Sequence, residues 1–208
     1  MARGFNVGRF RAAIDEKKVQ RPNLFLAEFL VPPGMQQQNM VVVQRLEYWV
    51  EVTSMPGLNI NTYPGLRFGY GAPEFRAQVN TFVPCNFEII FDGQADNYNF
   101  FYEWMKLIVN NDARDGINPG NGATGNDEKD PFELSYRDDY LTDTAINLYN
   151  QEGQAVARTV MRESFPASIG EMKLGWSDNN SYMRLPISMV YTDWYSDITN
   201  PDIPTIGS

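Results

Sequence analysis

The sequence predicts a mainly β fold: an antiparallel β-sandwich or barrel of two packed sheets, with one flanking α-helix at about 96–110 and a short N-terminal helix or arm. Three observations carry this. Several short runs alternate apolar and polar residues, the pattern of strands half-buried in a sheet. Only one long segment has clear helical spacing. Turn signals rich in Gly, Pro, Asn and Asp separate the runs at hairpin distances, with no βαβ alternation and no internal repeat.

Taken in order, residues 7–18 place Phe10 and Ile14 at helical spacing around Ala12 and Ala13, a short helix or arm. A strand is expected at about 23–31, where Phe25, Ala27 and Phe29 alternate with Leu26, Glu28 and Leu30 before Pro32-Pro33-Gly34 ends the run. A polar loop at Gln36–Asn39 leads to a second strand at about 46–54, stopped by Met55-Pro56-Gly57. Residues 58–75, rich in Gly, Pro and Tyr, read either as a long surface loop or as an extended hairpin that packs poorly on itself and needs a partner to cover it.

Residues 75–92 read as a strand pair. Val83, Cys85, Phe87, Ile89 and Phe91 share a core face, and Phe82, Pro84, Asn86, Glu88, Ile90 and Asp92 the mostly polar one. The helix follows: Tyr98, Phe101, Met105 and Ile108 form a stripe widened by Phe100, Trp104 and Leu107, with Asp96 as N-cap. Residues 112–130 carry almost no large apolar side chains and read as a mobile insertion. Strands return at about 132–136, 144–150 and 154–165, the last ended by Pro166. MKLGW at 172–176 precedes a turn at Asp178-Asn179-Asn180, a final strand covers about 182–194, and 197–208 reads as a flexible tail. The whole chain, 1–208, is expected to be one domain.

Composition narrows the function. The 208 residues include no histidine, which removes the commonest general base and the usual metal ligand. A single cysteine, Cys85, allows neither an internal disulfide nor a cysteine-cluster zinc site, and its place on an apolar strand face makes it a small hydrophobe. Asp138 and Asp139, with Asp143 near, could hold Mg²⁺, but neighbouring residues on a strand point to opposite faces, so a solvated turn is the reading. The insertion does not meet the spacing of a calcium loop, and the glycines of Gly65–Gly71 are followed by neither a lysine at phosphate-loop spacing nor a helix. No cofactor is expected, no catalytic constellation survives, and the chain is read as a non-enzyme. No apolar run reaches membrane-spanning length, and the N-terminus lacks the apolar core of a secretory signal.

The net charge of −9 is unevenly spread. Residues 1–21 carry Arg3, Arg9, Arg11, Lys17, Lys18 and Arg21 against Asp15 and Glu16, a basic arm on an acidic body. Such a body repels phosphate, which favours the arm lying on the body of another copy over nucleic-acid binding.

Two stretches are more specific. Arg21-Pro22-Asn23-Leu24-Phe25 opens the first strand, and Ile169-Gly170-Glu171-Met172-Lys173-Leu174-Gly175-Trp176-Ser177-Asp178-Asn179-Asn180 precedes a strand closing on Asp193-Trp194-Tyr195. In this order and spacing the chain resembles, over roughly 20–196, the tail tube proteins of large contractile-tailed bacteriophages, whose fold also occurs in type VI secretion and contractile bacteriocin tubes. The insertion and the tail after Tyr195 depart from simpler members.

The resemblance implies two packed sheets with a flanking helix. Six copies would form a ring whose inner strands join, and rings would stack into a tube inside a sheath. The implied partners are further copies of the chain, the tail sheath protein, and baseplate and terminator proteins at the tube ends. Genomic DNA would pass through unbound. The implied location is the virion, with assembly in the host cytoplasm. On that reading Asn86, Glu88 and Asp92 are the lumen-facing candidates. Arg3, Arg9, Phe10, Arg11, Tyr63, Leu66, Phe68 and Tyr70 are the candidates for contact between subunits or rings. A ring protein of the same fold at the baseplate or terminator is the nearest alternative. A carbohydrate-binding β-sandwich with 58–75 as stacking platform is one of a different class, and a carboxylate-pair hydrolase a more distant one.

Overall fold

A computed structural model describes residues 20–35, 40–65, 71–110, 134–176 and 181–197. The expected arm, the insertion, the Asp178-Asn179-Asn180 turn and nearly all of the expected tail lie outside these residues.

Among the described residues nine strands form one bent sheet and one separate hairpin. The strands are β1 (Phe25–Phe29), β2 (Val50–Thr53), β3 (Leu58–Gly65), β4 (Glu74–Phe82), β5 (Cys85–Ile90), β6 (Thr142–Tyr149), β7 (Ala155–Ile169), β8 (Arg184–Val190) and β9 (Asp193–Asp197). The helices are α1 (Met40–Leu46), α2 (Asp96–Ile108) and the single turn α3 (Arg137–Tyr140). The large sheet runs β1-β6-β7-β8-β5-β2, with β9 also paired to β7, and every pairing is antiparallel. β3 and β4 pair only with each other. The sheet does not close: β1 and β2 end the strand order, so the architecture is the sandwich and not the barrel.

β7 makes two layers out of one sheet. Residues up to Ser164 pair with β6, and residues from Phe165 pair with β8. The halves fold over a shared core in which the rings of Phe29 on β1 and Phe87 on β5 meet edge to face at 5.2 Å. Ala27, Ile146 and Met161 line one side, and Cys85, Ile89, Leu185, Ile187 and Met189 the other. α2 adds buried Phe100, Phe101 and Trp104, with Phe101 edge-on to Phe29 at 5.7 Å. The Trp104 indole N–H donates to the Tyr140 carbonyl at 2.9 Å, which satisfies the one polar atom of a fully buried side chain. Behind β6 a buried ion pair joins Arg158 Nη2 to Glu28 Oε2 at 3.1 Å, and the Asn147 amide donates to the other Glu28 oxygen.

Several expectations need correction. The expected strand at 46–54 is the end of α1 followed by the short β2. Val43 and Leu46 are buried one helical turn apart, so packing on the core overrides the β preference of the valine run. Residues 75–92 contain two strands that do not pair with each other, because β4 pairs with β3 while β5 lies between β2 and β8. Cys85, Phe87 and Ile89 are buried as the alternation requires, but Val83 precedes β5 and is 59% exposed.

Strand β7 runs through Pro166. From Phe165 onward it pairs with β8 alone, so an absent amide proton leaves no second ladder short of a donor. The expected strand at 132–136 is a single bridge from Leu134 to Val109, followed by α3. Residues 172–176 form no regular element, and the run at 182–194 is two strands, β8 and β9.

Trp104→Phe is expected to lower unfolding free energy by about 1–3 kcal/mol through the stranded Tyr140 carbonyl, and Phe87→Ala by about 3–5 kcal/mol through the cavity it opens. Urea titration followed by circular dichroism checks both.

Candidate assembly surfaces

Asp92 shows how the chain around β5 is fixed. It follows the strand directly, and its carboxylate accepts the backbone N–H of Asp96 at 3.1 Å and of Asn97 at 3.2 Å. These are first-turn donors of α2 that the helix itself cannot satisfy. The N-cap position is Ala95, in the left-handed region at φ 61° and without a side-chain cap, so the cap expected from Asp96 comes from Asp92 instead. Asn97 Nδ2 returns a bond to the Ile90 carbonyl at 3.1 Å and ties the helix start to the strand end. Beside this junction a shallow cleft is lined by Val42, Arg45, Trp49, Asp92 and Gln94.

Asn86 and Glu88 stand on the outward face of the β2-β5-β8 half-sheet, opposite the core. The register sets Asn86 against Ser188 and Ser188 against Ser168, a row of small polar side chains across three strands. Glu88 lies between Val52 on β2 and Pro186 on β8. Asn86 is exposed and Glu88 half-buried. The end of this face is fastened across β5: Arg184 Nε donates to Glu51 Oε2 at 2.5 Å, its Nη2 to Oε1 at 3.1 Å, and the Tyr182 hydroxyl donates to Oε1 as well. The bonds from Tyr182 and then Arg184 hold the Glu51 carboxyl below the usual carboxylate range.

The β3–β4 hairpin is the least covered element. Its strands are exposed on both faces, and Leu58, Ile60, Tyr63, Phe75 and Val79 are each between 45% and 70% exposed. Among the described residues its base meets the body: Phe82 packs on Tyr191 with centroids 6.0 Å apart, and the Tyr191 hydroxyl donates to the Val83 carbonyl at 2.8 Å. A two-stranded sheet with nothing beneath it is marginal in water. Further along, Leu174 and Trp176 are 82% and fully exposed.

Of the expected contact residues, Tyr63 lies on β3 with half its surface free. Arg3, Arg9, Phe10, Arg11, Leu66, Phe68 and Tyr70 fall outside the described residues. Sequence reasoning did not single out Leu58, Ile60 and Val79 or the Glu51–Arg184 strap. Leu58 and Ile60 lie within the segment at 58–75 marked as needing cover, and the signal for Val79 was apolar alternation continuing past residue 75; for the strap, which is made by non-local pairing, there was none.

Among the described residues no three His, Cys, Asp or Glu side chains come together as a metal site would require, and no helix is long and apolar enough to cross a membrane. Cys85 is buried, its thiol donates to the Ser54 carbonyl at 2.9 Å, and burial pushes its pKa up.

These features define an antiparallel β-sandwich with open sheet edges at β1, β2 and β9, an outward face carrying Asn86 and Glu88, and a projecting hairpin. A family model described as phage tail tube protein matches residues 20–197, and the chain belongs to that family, which is a structural one. A search of curated proteins found no match. Among solved structures, a chain of the anti-feeding prophage baseplate is 10% identical with a TM-score of 0.55, covering 86% of this chain and 95% of that one. A chain of the sheath–tube complex of an extracellular contractile injection system is 12% identical with a TM-score of 0.53, covering 94% and 99%. A chain of the anti-feeding prophage tube-terminating cap is 14% identical with a TM-score of 0.54, covering 86% and 91%. At such identities the likeness is one of fold.

Asp92→Ala is expected to cost about 1 kcal/mol, the usual worth of a helix cap, read from the urea midpoint. The lowered Glu51 pKa means that its bonds stabilise the fold above the unfolded carboxylate value of about 4.3 and that this contribution is lost as the pH falls towards the lower folded value. Urea midpoints measured from pH 7 down to 3 should therefore fall less steeply for Glu51→Gln than for the parent.

Proposed function

We propose that this chain forms hexameric rings that stack into the inner tube of a contractile phage tail, the conduit for DNA ejection. The observation that carries the reading is the uncovered β3–β4 hairpin. It exposes apolar side chains on both faces, a surface that another copy of the chain would bury. Membership of the tail tube family over residues 20–197 supports it, as does the shared fold with a chain from a sheath–tube complex.

In this reading the strands at the open edges of the sheet pair between neighbours, which removes unpaired edges around the ring. The outward face of β2, β5 and β8 lines the lumen. Its row of Asn86, Ser188 and Ser168 offers DNA no cation, and Glu88 adds a repulsive charge. Asp92, the third lumen candidate, already gives its carboxylate to α2, so its part is to hold the helix against the end of β5. Tyr63 contributes to the contact between rings, together with Leu66, Phe68 and Tyr70 of the same segment. The basic arm with Arg3, Arg9, Phe10 and Arg11 lies on the acidic body of another copy. The outer partners are the sheath, and at the tube ends baseplate and terminator proteins. The assembled location is the virion, after assembly in the host cytoplasm.

A second reading is a ring at one end of the tube. It is favoured by the comparable likeness to chains of a baseplate and of a tube-terminating cap.

Negative-stain microscopy of the purified protein tests both: long tubes support the first reading, isolated rings the second, and monomers neither. Deleting residues 1–15 should shorten or abolish tubes, and full-length tubes would remove the arm from the stacking contact. Ile60→Asp together with Val79→Asp should leave the circular dichroism spectrum unchanged and abolish tubes. Glu88→Lys should allow assembly while slowing DNA passage, and normal ejection by that variant would refute the lumen assignment.

A further inference from the structure

The change from one half of the sheet to the other occurs inside β7, at Glu163. Its φ of 51° lies in the left-handed region, which is unfavourable for a residue with a β-carbon and persists where the surroundings hold it. The register locates the cause. Thr142 faces Ser164 while Thr144 faces Met161, so β7 uses one residue more than β6 across this corner, a bulge that bends its strand.

Glycine would adopt this conformation freely. The sequence has a carboxylate there instead, and its contacts converge from several elements. The Glu163 N–H donates to Asp143 Oδ1 on β6 at 3.1 Å. Its carboxylate accepts from Thr192 Oγ1, between β8 and β9, at 2.7 Å and from Arg137 Nη2 on α3 at 2.6 Å. Arg137 Nη2 also donates to Thr192 Oγ1 at 2.7 Å, and the Thr192 N–H to the Arg162 carbonyl at 3.1 Å. Next to it Arg162 grips Asp193 with two nitrogens, Nε at 2.6 Å. The side chain thus links α3 to the β8–β9 connection at the point where the sheet turns, while the backbone N–H of the same residue holds β6.

We propose that Glu163 is a positioning residue whose side chain, and not its backbone conformation alone, sets the angle between the two half-sheets. Of the open edges, β1 and β9 belong to one half and β2 to the other, and the hairpin grows out of β2 and β5. The corner therefore fixes the angle at which one copy presents the edges of its two halves to its neighbours, and with it how many copies close a ring. This consequence rests on the assembly reading; the corner itself does not.

The test uses Glu163→Gly, which keeps the φ and removes the carboxylate, and Glu163→Gln, which keeps an acceptor. Spin labels on Asn86→Cys and Gln151→Cys, one in each half, read the angle in the free chain. Glu163→Gly should broaden the distance distribution, with tenfold faster amide exchange at Thr192, and Glu163→Gln should restore part of both. Rings or tubes of Glu163→Gly should then show a changed or mixed diameter. An unchanged distance distribution in Glu163→Gly overturns the proposal, whatever the exchange rates; a broadened one upholds the corner, and rings of parental diameter then overturn its consequence for ring closure. If the parent chain forms no rings or tubes, the assembly reading falls, and the distance distribution still decides the corner.

Discussion

Everything in this fold depends on one strand belonging to two layers. β7 is long enough to pair with β6 and β9 along its first part and with β8 along its second. The two halves are therefore not separate sheets brought together by side chains alone. The chain of β7 carries one half into the other, and the core is whatever fits between the halves once the strand bends. That is why Phe29 and Phe87, far apart in the chain, meet edge to face. It is also why α2 needs only one buried face, closing the open side of the fold with Phe100, Phe101 and Trp104.

The local patterns were legible in the sequence. The burial of Cys85, Phe87 and Ile89 follows from alternation, and α2 from its 3.6-residue stripe. What could not be read was set by partners distant in the chain. The sequence reading starts a strand at about 46, yet Leu46 ends α1 because Val43 and Leu46 find the core at helical spacing. Pro166 argues for a strand end, yet β7 continues because its second ladder has stopped by then. Asp96 is the obvious cap by position, but Asp92 reaches the same amides from the end of β5. For the assembly surfaces, the sequence marked the segment at 58–75 as one in need of cover, without showing that β4 extends the exposed ladder to Phe82.

Charge and shape divide the surface. Uncovered apolar side chains are dense on the hairpin and at Leu174 and Trp176, whereas the outward face of β5 and β8 mixes Asn86, Glu88 and Ser188 with Ile90, Pro186, Val190 and the paired Arg184.

The bare hairpin has a kinetic side. In a free chain β3 and β4 are held by their own ladder and by Phe82 at the base. On the assembly reading, the first ring must restrict all of its hairpins before any of them gains a covering surface. A chain joining an existing ring meets a surface already in place. Growth from a template would then be fast and spontaneous initiation slow, so tube number would be governed by whatever supplies the first ring and not by protein concentration.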